Sequence, residues 1–172
     1  MKKVIAVILS LAAVICLSSC SGGAPSGMTT ASGDNDAFYL YVPSTWTVNT
    51  SGGTASAYIV TDFSNVSMTC MLPEDNISTV AEYVEYTRNA LAAALKDYEN
   101  ENDGALTEMT LGGKDAVSFD YSAKMGTVVY KWRQIVTMKS DTFYILTYTS
   151  TAENFDSHLE ELAQIVENVS FK

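Results

Sequence analysis

Hydrophobic and polar positions recur along this chain in two rhythms, and each change of rhythm marks an element. Residues 38–42 form a short apolar run stopped by Pro43, which reads as a strand. Residues 56–63 and 66–72 read as the next two strands, with Ser64-Asn65 as the turn between them. The period then lengthens. Thr79-x-x-Glu82 is a capping box, and Val80, Val84, Thr87, Leu91, Ala94, Leu95 and Tyr98 fall within one third of a helical wheel. The polar stretch from Glu99 to Gly104 ends that helix.

Three two-residue turns organise the next four strands: Gly112-Gly113, Met125-Gly126 and Ser140-Asp141. Tight pairing about the second places Tyr121 opposite Tyr130, Phe119 opposite Trp132 and Asp120 opposite Lys131. Tight pairing about the third places Met138 opposite Phe143 and Ile135 opposite Leu146. One face then collects Val117, Phe119, Tyr121, Tyr130, Trp132, Val136, Met138, Phe143 and Ile145. The other carries Met109, Leu111, Ile135, Tyr144 and Leu146 beside Asp120, Lys131, Arg133 and Tyr148. Apolar residues on both faces require cover on both sides. Ser150-x-x-Glu153 reads as the capping box of a final helix with Phe155, Leu159, Leu162, Ala163 and Val166 as its stripe, and Val169 and Phe171 close the chain. The expected class is α+β, a mostly antiparallel sheet of six or seven strands with helices packed on it.

Several of these elements stand in a familiar order: Pro43-x-x-Trp46 after the first strand, a helix, Gly112-Gly113-Lys114 before the Val117-Phe119-Tyr121 strand, a hairpin over 130–149, and a final helix closed by Ser170-Phe171. Over roughly residues 37–172 the chain resembles the PsbP-like group, to which DcrB-like bacterial lipoproteins belong. The resemblance implies an α/β/α sandwich whose members mostly assist assemblies by binding, and it transfers no active-site residues.

The first twenty residues change the picture of where such a domain sits. Lys2 and Lys3 precede a fourteen-residue apolar run, Val4 to Leu17, broken only by Ser10. That run is shorter than the ~20 residues a spanning helix needs and matches the apolar region of a signal peptide. Leu17-Ser18-Ser19-Cys20 resembles a bacterial lipobox, which implies lipidation of Cys20 and cleavage before it. The expected organisation is a signal peptide over 1–19, lipidated Cys20 with a Gly/Ser-rich tether over 20–36, and one domain over 37–172. A secreted protein with an incidental Cys20 is the other reading of this leader. Lipidation would hold the protein at a bacterial cell membrane, facing the extracytoplasmic side.

Composition narrows the partners. Ten Lys and Arg against twenty Asp and Glu give a net charge of −10, which argues against nucleic acid. An envelope protein or a small ligand is the expected partner, and no cofactor is implied.

Candidate chemistry is sparse. Cys70 lies in the alternating run Val66-x-Met68-x-Cys70-x-Leu72 and reads as a buried, inert thiol. His158, the only histidine, reads as a residue at the margin of the last helix's apolar stripe. One histidine and one remaining cysteine cannot build a structural zinc site. Glu99-x-Glu101-x-Asp103-Gly104 begins like an EF-hand loop, but Thr110 stands where the bidentate Glu is needed, so no metal site is expected. Trp46 reads as core. Lys131 and Arg133, two apart on one strand, project to the same side near Asp120 and Tyr148. Such a group can receive a carboxylate or phosphate, or its charges can pair among themselves to finish a half-buried face. No catalytic constellation stands out, and a non-catalytic binding or accessory lipoprotein is the expected function. The alternative is a hydrolase of envelope polymers built on two carboxylates.

Overall fold

The computed structural model describes residues 23–49, 54–74 and 77–172; the leader with Cys20 lies outside them. Among the described residues the chain runs β1 (Met28–Thr30), β2 (Phe38–Tyr39), β3 (Tyr41–Pro43), β4 (Thr47–Asn49), β5 (Ala55–Tyr58), β6 (Asn65–Met71) and α1 (Val80–Ala94). Then come β7 (Glu99–Asn100), β8 (Thr107–Leu111), β9 (Lys114–Met125), β10 (Val128–Lys139), β11 (Thr142–Thr151), α2 (Leu159–Asn168) and β12 (Ser170–Phe171). The main sheet is eight-stranded, in the order β4-β5-β6-β11-β10-β9, with β7 and β8 both pairing β9. Its ladders are antiparallel.

The sheet is covered on both faces, as its two-sided apolar pattern requires. α1 brings Tyr83 and Val84 onto Phe119, Tyr121, Val136, Phe143 and Ile145. On the other face, Leu162, Ile165 and Val166 of α2 join Leu111, Ile135, Leu146 and Tyr148, together with Leu40, Val42 and Trp46 from the N-terminal strands. α1 starts where the capping box places it. The Thr79 hydroxyl accepts the Glu82 N–H, and the Glu82 carboxylate accepts the Thr79 N–H.

Two of the three tight turns keep the expected register: Leu111 pairs Lys114, and Met138 pairs Phe143. The middle hairpin turns one residue later, with Met125 pairing Val128. Gly126 thereby takes the first loop position at φ 67°, which a hairpin turn of the primed types demands and a methionine there would resist. Partners slip by two residues while faces are kept. Tyr121 stands opposite Trp132, and Asp120 stands opposite Arg133 in place of Lys131.

Other boundaries differ as well. β5 stops at Tyr58, so 59–64 form a turn where a strand was expected. The expected strand over 38–42 is interrupted at buried Leu40, whose N–H donates to the Ser32 hydroxyl and whose carbonyl accepts from Ala31. α1 ends at Ala94, and Tyr98 reaches the same cluster from the segment beyond. The second capping box does not form. β11 pairs β10 as far as Thr151, so Ser150 stays in the sheet, where its hydroxyl meets that of Ser64 at 2.7 Å. A 3₁₀ turn over Phe155–His158 then leads into α2, on which Ala163 is exposed and Ile165 takes the buried place.

The segment expected as tether is folded in its second half. β1 pairs β3 from Met28–Pro43 to Thr30–Tyr41, and Ala31 is buried. Gly27, at φ 77°, turns the chain into this strand, and its carbonyl accepts from both the N–H and the hydroxyl of Ser44. Cys70 is exposed, which corrects the expectation of a buried thiol. The alternation of β6 outlasts its cover: Val66 and Met68 are buried, whereas Thr69 and Cys70 are not.

Candidate functional site

Lys131 and Arg133 leave β10 on the α2 side of the sheet, and each meets a carboxylate supplied by a different element. Arg133 stands directly opposite Asp120 of β9 and grips it with two bonds, Nε to Oδ1 at 2.8 Å and Nη2 to Oδ2 at 2.7 Å. Asp120 is 7% exposed and Arg133 29%, so the carboxylate end of this bidentate pair is withdrawn from water while the arginine keeps an open side. Its two hydrogen bonds to the Asp120 carboxylate hold the guanidinium pKa above its ordinary value. Lys131 Nζ reaches Glu101, just beyond β7, at 3.1 Å. Burial raises the Glu101 pKa, but bonds from Ser122 and Lys131 outweigh it and leave it below the ordinary carboxylate range.

Phe155 floors the cluster. Its ring lies 4.9 Å from Lys131 Nζ and 5.7 Å from the Arg133 guanidinium carbon. Tyr148, pairing Arg133 on β11, is fully buried, and its hydroxyl donates to the Phe155 carbonyl at 3.0 Å. The structure thus gathers all four residues singled out in the sequence, with Tyr148 as part of the floor and Lys131 and Arg133 as the reachable rim. An incoming anion would have to share these cations with Asp120 and Glu101.

A second cluster was not legible in the sequence. His158 bridges two carboxylates, with Nδ1 at 2.8 Å from Glu161 and Nε2 at 2.8 Å from Asp62. Asp62 comes from the turn before β6, ninety-six positions away, so only the fold brings it in. The Asp62 carboxylate also accepts the Ser64 N–H at 2.9 Å, which fixes that turn. Burial works against the His158 cation, but the bonds to Asp62 and Glu161 outweigh it and raise its pKa above the ordinary value. The Trp46 ring closes the cluster in a T-shaped contact with the imidazole, 6.3 Å between ring centres. With both imidazole nitrogens engaged, His158 acts as a clasp between the turn and α2.

Elsewhere, a groove of about 650 Å³ between the start of α1 and β8–β9 is lined by Val80, Met109, Ala116 and Val117 together with Glu108 and Asp115. Among the described residues no group of three His, Cys, Asp or Glu side chains is placed to hold a metal ion. No helix among them is long and apolar enough to cross a membrane.

No family model matches the chain, and no curated protein matches it by sequence. Solved structures do. Cyanobacterial PsbP (CyanoP) from Synechocystis sp. PCC 6803 superposes with a TM-score of 0.59 at 14% identity, covering 91% of this chain and 99% of that one. LpqN of Mycobacterium tuberculosis, described as involved in cell envelope biogenesis, gives 0.57 at 14% identity, with 84% and 90% covered. The Ran-binding protein Mog1p of Saccharomyces cerevisiae gives 0.56 at 6% identity, with 84% and 95% covered. At these identities the likeness is one of fold, and the fold is the PsbP-like α+β arrangement that the order of elements implied.

Proposed function

We propose that this chain is a lipid-anchored protein on the extracytoplasmic side of a bacterial cell membrane, acting there as a binding or accessory module and not as a catalyst. The observation that carries the reading is a combination: a leader ending in Leu17-Ser18-Ser19-Cys20 ahead of a PsbP-like fold. Of the proteins sharing that fold, one is involved in cell envelope biogenesis and another binds Ran, which supports recognition as the common use of the scaffold. The partner is an envelope protein or a small ligand, engaged from the Lys131 side of the charged cluster. Lys131 is the better candidate contact because its bond to Glu101 is partly solvated, whereas Arg133 is committed to buried Asp120.

Crosslinking with mass spectrometry on the full lipoprotein in its native membranes tests this reading. One dominant partner linked through Lys131 or its neighbours is the expected result, and Lys131→Ala should reduce it. Absence of any partner above background, with turnover of wall glycans or peptides by the same preparation, would replace the reading with a catalytic one.

A further inference from the structure

We propose that the end of the sheet where the chain enters the domain rests on the bilayer that holds Cys20, through the exposed apolar tips Val60 and Phe63 on one side and Met125 and Val128 on the other. The inference rests on the lipid-anchor reading above and adds an orientation to it. The first ground is reach. The Pro25 carbonyl accepts from Met28, and Gly27 is tied to Ser44, so the domain is fixed five residues after Cys20. Five residues span at most about 18 Å. An acylated Cys20 therefore keeps this end of the domain close to the headgroups.

The second ground is what that end displays. From Ser44 the chain passes Trp46 and enters β4, whose Thr47 pairs Tyr58 at the close of β5. The turn over 59–64 follows at once, clasped to α2 through Asp62 and His158 beside Trp46. At its tip Val60 is 61% exposed and Phe63 is 71% exposed. Phe63 is held at φ 61°, a left-handed conformation that bulky side chains rarely adopt. Bonds on both sides impose it: Phe63 N–H to the Ile59 carbonyl at 2.9 Å, and Ile59 N–H to the Ser64 carbonyl at 2.8 Å. A strained, rigid backbone that aims a phenyl ring into water is costly unless something apolar receives the ring.

The third ground is a second tip at the same end. Asn65 pairs Thr149, and Thr149 pairs Trp132, so the β9–β10 hairpin projects beside the Phe63 turn. It exposes Met125, Val128 and Val129. Three strand spacings separate β6 from β9, about 14 Å, so the two tips form a broad footing. The chain's net charge of −10 gives no attraction to anionic lipid, which leaves apolar contact as the means of docking. Individually weak contacts suffice, because the anchor holds them at a high effective concentration over the membrane.

The test uses the full lipoprotein, purified and reconstituted in phosphatidylcholine vesicles whose acyl chains are brominated near the headgroup. Intact mass first reports whether Cys20 carries diacylglyceryl. Tryptophan emission of Phe63→Trp is then compared with that of Leu72→Trp, which is equally exposed but lies beyond the opposite end of β6. Over the background of Trp46 and Trp132, at least twofold quenching confined to Phe63→Trp is expected, with Val60→Trp giving the same result should Phe63→Trp not fold. Equal quenching at both sites, or none at either, overturns the inference while leaving the anchor intact. Shielding of Phe63→Trp that appears only at high protein density assigns the tips to a second copy and also overturns it. An unacylated Cys20 overturns the anchor reading and this inference together.

Discussion

His158 shows how one side chain can couple two elements and make their union depend on pH. Its raised pKa means that the charged form is favoured by folding, so its contribution to stability is complete below about pH 6.5 and is lost as pH rises through the folded value. Asp62 has the opposite sense. Burial raises its pKa, but the bonds from His158 and Ser64 lower it further, so its contribution is present above 3.8 and is lost as pH falls through the lowered value. The clasp is therefore strongest in mildly acidic solution. His158→Gln should cost about 1–3 kcal/mol at pH 5–6, a range typical of bonds to charged groups, and progressively less as pH climbs past 7. Urea unfolding of both proteins across pH 5–9 checks this, and a constant difference would remove the charge from the account. Arg133 and Lys131 separate by the same logic. Arg133→Ala leaves Asp120 buried without its partner and should cost about 2–4 kcal/mol, whereas Lys131→Ala loses a partly solvated pair, 24% and 30% exposed, worth about 0–1 kcal/mol. Only the second is a clean probe of binding, because its fold stays intact.

At the scale of elements, tight turns are where local chemistry and long-range packing meet. Gly112 and Gly113 both sit at positive φ, but they differ in surroundings. A Cβ on Gly112 would lie 2.3 Å from the Val169 carbonyl oxygen, whereas one on Gly113 would meet nothing within 4 Å. Gly113→Ala should therefore cost about 1–2 kcal/mol for its backbone conformation alone. Gly112→Ala should cost about 2–4 kcal/mol, because the β8–β9 turn must part from the chain beyond α2. Chemical denaturation of the pair decides it, and equal losses would mean that the Val169 contact yields freely. These turns also mark what local sequence can reveal. Double glycine and Ser140-Asp141 fix their registers by themselves, and Thr79 with Glu82 starts α1 as read. The motif Ser150-x-x-Glu153 satisfies the same local rule and yet fails, because ten residues of β11 claim Ser150 for the sheet and a buried bond to Ser64 keeps it there. Ladder pairing is non-local, so a capping motif at a strand end cannot announce which side wins.

For the whole molecule, the unread part of the sequence is its N-terminal border. Gly, Ser, Asp and Asn dominate residues 20–36, and such composition ordinarily describes a tether, but Met28–Thr30 find a free edge on β3 and Ala31 drops into the core. A three-residue strand has too little pattern to be seen in sequence, and its stability comes entirely from the partner that the fold supplies. The charged cluster was half legible for the same reason: spacing on β10 placed Lys131 and Arg133 together, but a turn displaced by one residue decided which of them met Asp120. Residues 23–172 and 37–172 therefore make a sharp comparison. The shorter chain loses the β1–β3 ladder, the Ala31 burial and the Ser32 bond that satisfies the Leu40 N–H, a sum of about 3–5 kcal/mol by ordinary hydrogen-bond and transfer values. At roughly 2–4 °C per kcal/mol for a domain of this size, its melting temperature should fall by about 10 °C. Equal melting temperatures would return residues 23–36 to the role of tether and lengthen the reach from Cys20; a large fall would make the border part of the folded domain, so that the end of the sheet beside it stays within a few residues of Cys20.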